Sequence, residues 1–128
     1  MSALINSKIY VDNSPIHGYG VFASEDISKG EIIEECPVIK LNNTKFEELP
    51  KGIQEYAFSW KFGISQIPSI VMGYGGVYNH SDNNNLEYYS DNAKNVMVYK
   101  SNRDINKGEE LFVNYGQEYF NITGIEKK

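Results

Sequence analysis

Cysteine is nearly absent: Cys36 is the only one among 128 residues. That excludes an intramolecular disulfide and any zinc cluster built from several thiolates. Histidine is almost as scarce, with His17 and His80 alone. Neither has a partner at metal-ligating spacing, so no metal is expected. No apolar run is long enough to cross a bilayer, and residues 1–8 lack the basic and apolar segments of a secretory signal. The expectation is an intracellular protein without membrane attachment, in which the three N-x-S/T matches at Asn42, Asn79 and Asn121 carry little weight as glycosylation sites. Positive charge is also in deficit. Twelve Lys and Arg against 17 Asp and Glu leave a net charge of -5, so no general field exists to bind nucleic acid through its phosphates. A basic partner suits this chain better.

A hydrophobic fraction of 41% with 23% charged residues is ordinary for a folded globular chain and unlike a disordered one. The length fits one domain with one core. The first third reads as short strands between glycine turns: Lys8 to Val11, Tyr19 to Ser24, and Glu31 to Leu41 with its β-branched residues. Asp26-Ile27-Ser28-Lys29-Gly30-Glu31 recurs as Asp104-Ile105-Asn106-Lys107-Gly108-Glu109. Each copy predicts a tight turn with glycine at positive φ, and the pair reads as two similar hairpins. Thr44-Lys45-Phe46-Glu47 has the form of a capping box, predicting a brief helix from about Lys45 to Leu49 that Pro50 stops. Further strands are expected at Glu55 to Lys61, Leu86 to Tyr89, Val96 to Lys100 and Leu111 to Val113. The fold class is therefore mainly β with short helices, as several small sheets.

Three clusters could carry chemistry. The first, His17-Gly18-Tyr19-Gly20-Val21-Phe22, has two glycines one residue apart that let backbone approach a ligand or turn sharply. The second is Asn79-His80-Ser81, after the run Gly73-Tyr74-Gly75-Gly76 and before Asn83-Asn84-Asn85; its amide and imidazole groups suit a polar ligand. The third, Gly108-Glu109-Glu110-Leu111-Phe112-Val113-Asn114-Tyr115-Gly116, ends a strand on a tyrosine whose hydroxyl could enter a cavity. Taken singly, each is explained as readily by an ordinary turn, a self-capped loop or a packed ring. Serine–histidine–acid catalysis lacks a serine elbow beside His80, and Cys36 lacks an electropositive setting.

In combination and order, G-Y-G-V-F, N-H-S with Asn85 four residues after Ser81, and G-E-E-L-x-x-x-Y-G resemble the SET-domain protein lysine methyltransferases. The likeness is greatest to the small stand-alone viral type that methylates histones, and it covers roughly Lys8 to Phe120. The resemblance implies a SET-domain (β-clip) fold with a C-terminal pseudoknot, as one domain over residues 1–128 without pre-SET or post-SET zinc-binding regions. It implies an enzyme that transfers a methyl group from S-adenosylmethionine to a lysine amine, leaving S-adenosylhomocysteine. By position, Gly18, Tyr19 and Gly20 lie against the cofactor through their backbone, and Asn79 and His80 bind its amino-acid part and adenine. Tyr115 is the catalytic residue and also touches the cofactor. Tyr56 and Tyr119 line the lysine channel, and Phe120 stacks near the adenine.

The sequence departs from the family pattern in several places. Cys36 stands where a tyrosine is frequent after Glu34-Glu35, Asn84 replaces the proline before Asn85, and Asn114 replaces the aspartate before Tyr115. Without cysteine-rich flanks to close the lysine channel, a homodimer is expected to complete it, as in the small viral type. The expected partner is a basic tail such as a histone's, with action in a nucleus, a host's included, or in the cytoplasm for another substrate. Two alternatives stay open: a weakly catalytic SET-like module that binds protein tails, and a methyltransferase for a non-histone protein.

Overall fold

The computed structural model describes residues 8–54, 56–62 and 65–114. Within them, nine strands form two sheets. They are β1 (Ile9–Asn13), β2 (Tyr19–Ala23), β3 (Ile32–Lys40), β4 (Ala57–Phe62), β5 (Ser65–Val71), β6 (Asn79–His80), β7 (Leu86–Asp91), β8 (Val96–Ser101) and β9 (Glu110–Val113). The smaller sheet runs β1-β2-β9-β6 and the larger β4-β5-β3-β8-β7. The mainly β expectation holds, and the strands read from sequence fall within a few residues of those observed. The part of the pseudoknot that would involve residues 115–120 lies outside the described residues.

Burial follows position in the sheet. β8 lies between β3 and β7, and its residues Val96, Met97, Val98 and Tyr99 are all buried, the continuous pattern of a strand covered on both faces. With Ile33, Phe58, Trp60, Tyr78 and Leu86 they belong to the core. Full burial of a side chain such as Leu86 stabilises the fold by about 1.5–3 kcal/mol. Helix is minimal. The expected capping box is displaced by one residue: the Lys45 N–H donates to Glu48 Oε1 at 2.8 Å, opening a 3-10 turn over Phe46–Glu48. Pro50 ends that turn and also begins the next. Its carbonyl accepts from Ile53 and Gln54 at 2.9 and 3.0 Å, starting α1 (Lys51–Gln54), because proline at a helix start forfeits only an N–H that would have no helical partner.

The repeated Asp-Ile-x-Lys-Gly-Glu segments are not the turns of two similar hairpins, because β2 and β3 lie in different sheets, as do β8 and β9; the segments clasp each other instead. Ile27 and Ile105 exchange both backbone hydrogen bonds at 2.8 Å. Asp26 Oδ1 accepts from the Lys107 N–H, and Asp104 Oδ1 from the Lys29 N–H, each at 2.8 Å. Within each copy the glutamate accepts from the backbone N–H three residues earlier, Glu31 from Ser28 and Glu109 from Asn106. Gly30 and Gly108 sit at φ 86° and 91°, as expected. The clasp ties the end of β2 to the start of β9, with Gly108 N–H to Ala23 O at 2.7 Å and Ala23 N–H to Glu109 O at 2.9 Å.

A bulge in β3 shapes the interior. Its register against β8 shifts between Ile32 and Glu34, so Ile33 and Glu34 both turn inward. Glu34 is 1% exposed and accepts from the Tyr78 hydroxyl at 2.7 Å, just before β6. Burial pushes its carboxyl up, against the Tyr78 hydroxyl, the Cys36 thiol and the Tyr74 N–H, which favour the charged form. Burial, then the Glu34 charge, push the Cys36 thiol up as well, which makes it an inert core group.

Asp26→Ala and Asp104→Ala are each expected to lower the unfolding free energy by about 1 kcal/mol, the net worth of one such hydrogen bond. Denaturant titration checks this, and a loss at only one site would show that the two halves are not equivalent. For Glu34 the sign follows from proton linkage. A carboxyl raised in the folded state holds its proton more tightly there than in the unfolded chain, so its contribution is fully present below the ordinary value of 4.5 and is lost as pH rises through the folded value. The melting midpoint of Glu34→Gln should therefore gain on that of the wild type as pH rises above the ordinary value of 4.5. Parallel profiles would show that Glu34 titrates alike folded and unfolded.

Candidate active site

The three sequence clusters meet on the smaller sheet, and β9 is the strand that joins them. On one side it pairs antiparallel with β2, Val21 opposite Leu111 and Phe22 opposite Glu110. On the other it pairs parallel with β6, Asn79 opposite Phe112 and His80 opposite Val113. A two-residue parallel ladder offers few hydrogen bonds, and the Asn85 side chain adds to them. Its Nδ2 donates to Glu110 O at 2.9 Å and its Oδ1 accepts from Phe112 N–H at 2.7 Å, as a neighbouring strand's peptide group would.

Asn79 bridges from β6 to the segment before β2. Its Nδ2 donates to His17 O and Tyr19 O, both at 3.1 Å, and to Glu110 at 2.8 Å. All three partners are acceptors, so the amide has one permitted orientation, nitrogen inward and Oδ1 directed away from them. Glu110 is 9% exposed and also accepts from the Ser14 hydroxyl, at 2.8 and 3.0 Å to its two oxygens. Ser14 Oγ in turn accepts from the Ile16 N–H at 3.0 Å, and Ser14 N–H closes the turn on Gly18 O at 2.7 Å. The two glycines serve different needs. Gly18 takes φ 50° in open space, whereas a Cβ on Gly20 would collide with the Glu110 carboxylate. Tyr19 between them is exposed, whereas Gly20 is buried.

His80 is buried, and its Nε2 lies 3.1 Å from Asp82 Oδ1. The Ser81 N–H donates to Val113 O at 3.0 Å. Because successive residues of a strand direct their backbone groups to opposite sides, those of His80 point away from β9. The glycine run before β6 is dictated by packing at Gly75, where a Cβ would collide with Val71 and approach the Tyr99 hydroxyl. Tyr56 is 53% exposed, and its ring edge lies 3.7 Å from where a Cβ on Gly76 would be. Gly18, Tyr19, Gly20, Asn79 and His80 are thus brought together, with Tyr56 on the approach to β6. Tyr115, Tyr119 and Phe120 lie outside the described residues; the described chain reaches Asn114, one residue short of Tyr115. Sequence reasoning missed Ser14, Asp82 and the separate role of Glu110. The pair Glu109-Glu110 was visible, but only strand register shows that Glu110 turns inward while Glu109 stays exposed.

The SET-domain family profile matches residues 18–116. Among characterised proteins the chain is 30% identical over 115 residues to the histone-lysine N-methyltransferase, H3 lysine-37 specific, of Schizosaccharomyces pombe, an alignment covering 88% of this chain and 76% of that protein. It is 28% identical to the histone-lysine N-methyltransferase EZH2 of Chaetomium thermophilum, across 83% of this chain but 8% of that much longer one. Among solved structures it resembles a Plasmodium falciparum protein assigned as a histone methyltransferase, with TM-score 0.68, 36% identity and coverage of 88% and 96% of the two chains. It also resembles CpSET8 from Cryptosporidium, with TM-score 0.69, 26% identity and coverage of 88% and 59%. The profile spans the three motifs that converge on the smaller sheet; the chain belongs to the SET-domain family and is a protein-lysine methyltransferase.

Proposed function

We propose that this protein methylates a lysine in a histone tail, with the cradle formed by Gly18, Tyr19, Gly20, Asn79 and His80 holding S-adenosylmethionine. The observation that carries this reading is the enforced orientation of Asn79. With its nitrogen committed to His17, Tyr19 and Glu110, its Oδ1 is left to accept from an ammonium such as that of the cofactor's amino-acid part. His80, next to Asn79 on β6, is assigned to the adenine, and the exposed residues Gly18 and Tyr19 leave room for a ligand to lie against them. When bound, S-adenosylmethionine supplies an electrophilic methyl group on a positively charged sulfur.

The protein's share of the chemistry is alignment. The lysine nitrogen must be neutral to attack, and a narrow channel beside a positive charge disfavours its ammonium form, with the proton leaving to water. Tyr115 comes two residues after Val113, the last residue of the strand that pairs with β6, and its hydroxyl is assigned to orienting the amine in line with the methyl group. Tyr56 and Tyr119 are assigned to the channel walls, and Phe120 to the adenine. The exposure of Tyr56 leaves that wall in need of cover, which we take to come from a second copy of the chain. A histone substrate fits the relatives' activities and the net charge of -5, and it implies action in a nucleus.

Mass-spectrometric assay of methyl transfer to recombinant histones tests this. Tyr115→Phe is expected to lower kcat by about 100-fold, the scale of losing one aligned donor, with little change in cofactor affinity. Full activity in the variant would remove Tyr115 from catalysis. A wild-type protein that binds cofactor and methylates other basic proteins but no histone would overturn the substrate assignment.

A further inference from the structure

Glu110 occupies the junction of three elements, the turn before β2, strand β6 and its own strand β9. Its carboxylate receives Asn79 from one side and Ser14 from the other, and both donors are neutral. Among the described residues no cation pairs with it. Burying a carboxylate without a countercharge is costly, and a neutral side chain of the same length would satisfy part of the same contacts at less expense. Packing alone therefore does not account for a glutamate here.

What the carboxylate does that an amide cannot is accept at both oxygens. Facing Asn79, it adds a third acceptor to the carbonyls of His17 and Tyr19 that hold the amide nitrogen inward. A glutamine could turn its NH2 group towards Asn79 and set that contact against the two carbonyls, loosening the amide. Facing Ser14, it fixes the hydroxyl as a donor, which frees the Ser14 oxygen to hold the Ile16 N–H and shape the turn into Gly18. Gly20 is the matching concession, since any side chain there would take the space the carboxylate fills.

We propose that Glu110 is a positioning residue for the amino-acid part of S-adenosylmethionine, acting through Asn79 and the Ser14–Gly18 turn. This rests on the reading of Asn79 as a cofactor contact. It is tested by binding, without turnover, of three probes to the full chain: S-adenosylmethionine, S-adenosylhomocysteine and 5′-methylthioadenosine, which keeps the nucleoside and sulfur but lacks the amino-acid part. Glu110→Gln is expected to weaken the first two alike by about tenfold, the scale of a lost hydrogen bond to a charged group, and to leave methylthioadenosine within about twofold, well short of that loss. Asn79→Ala should give the same pattern, with the double variant no weaker than Asn79→Ala alone.

Equal weakening of all three probes by Glu110→Gln would make Glu110 a purely structural residue and overturn the proposal. So would loss of S-adenosylmethionine binding alone, which would assign the charge to the sulfonium. Unchanged binding in Glu110→Gln, with Asn79→Ala impaired, would also overturn it while leaving the cofactor cradle intact. If Asn79→Ala itself binds all three probes normally, the cradle reading fails instead, and this proposal with it. Should Glu110→Gln not fold, Ser14→Ala, which removes one donor and keeps the carboxylate, carries the same comparison, with loss confined to the two amino-acid-bearing probes.

Discussion

The contact on which the site depends is the short parallel pairing of β6 with β9. Asn79 and His80 face Phe112 and Val113 over two residues, and parallel pairs are the weaker kind of ladder. If it opened, Asn79 and His80 would leave the strand that leads to Tyr115. The chain reinforces this tie with side chains because the backbone has too few groups to offer. Asn85 bonds both a carbonyl and an N–H of β9, and Asn79 reaches beyond β9 to carbonyls of the segment entering β2. Asparagine suits this work because one short amide both donates and accepts, so it can replace a missing peptide unit without bringing charge inside.

The reciprocal clasp between the two Asp-Ile-x-Lys-Gly-Glu segments sets where β9 begins. With Gly108 bonded to Ala23 and Glu109 opposite the same residue, Phe22 must face Glu110 and Val21 must face Leu111. A slip of one residue would exchange the faces of the strand. Glu109 would be driven inward and Glu110 out, and Asn79 would lose one of its three acceptors. A feature remote from the reacting atoms thus decides which of two adjacent glutamates enters the site. This is a packing consequence of two turns that satisfy each other's orphan N–H groups.

The larger strands were legible because each shows a dense β-branched or aromatic pattern, as in Ile32–Lys40 and Val96–Ser101. β5 was not, since Pro68 within Ser65–Val71 argues against a strand. It is tolerated just past the end of the β3 ladder, where Lys40 stands opposite Ser69: the Pro68 carbonyl still accepts from the Leu41 N–H at 2.9 Å, and only the missing N–H goes without a partner. β6 was invisible as a strand because two residues have no periodicity. The echoed segments were visible, but similarity between two segments does not say that they touch. In the site, the glycine pair and Asn-His stood out through their motifs, whereas Ser14 carries no local signal at all. Its importance comes from Glu110, distant in sequence, and the same holds for singling out Asn85 from a run of three asparagines.

These features share a physical logic. Methyl transfer asks the protein for no covalent bond and little proton chemistry, so the rate gained must come from holding reactants in line and from groups already oriented before they arrive. Orientation in a small domain has to be enforced by something that cannot rotate away. Here Asn79 is held by three acceptors, Glu110 by two neutral donors, and Gly20 by the carboxylate that fills the space beside it. Each group is fixed by a neighbour that accepts one arrangement only. Polar residues in this interior therefore act mainly on one another, and the surface they leave for a ligand is what remains once those demands are met.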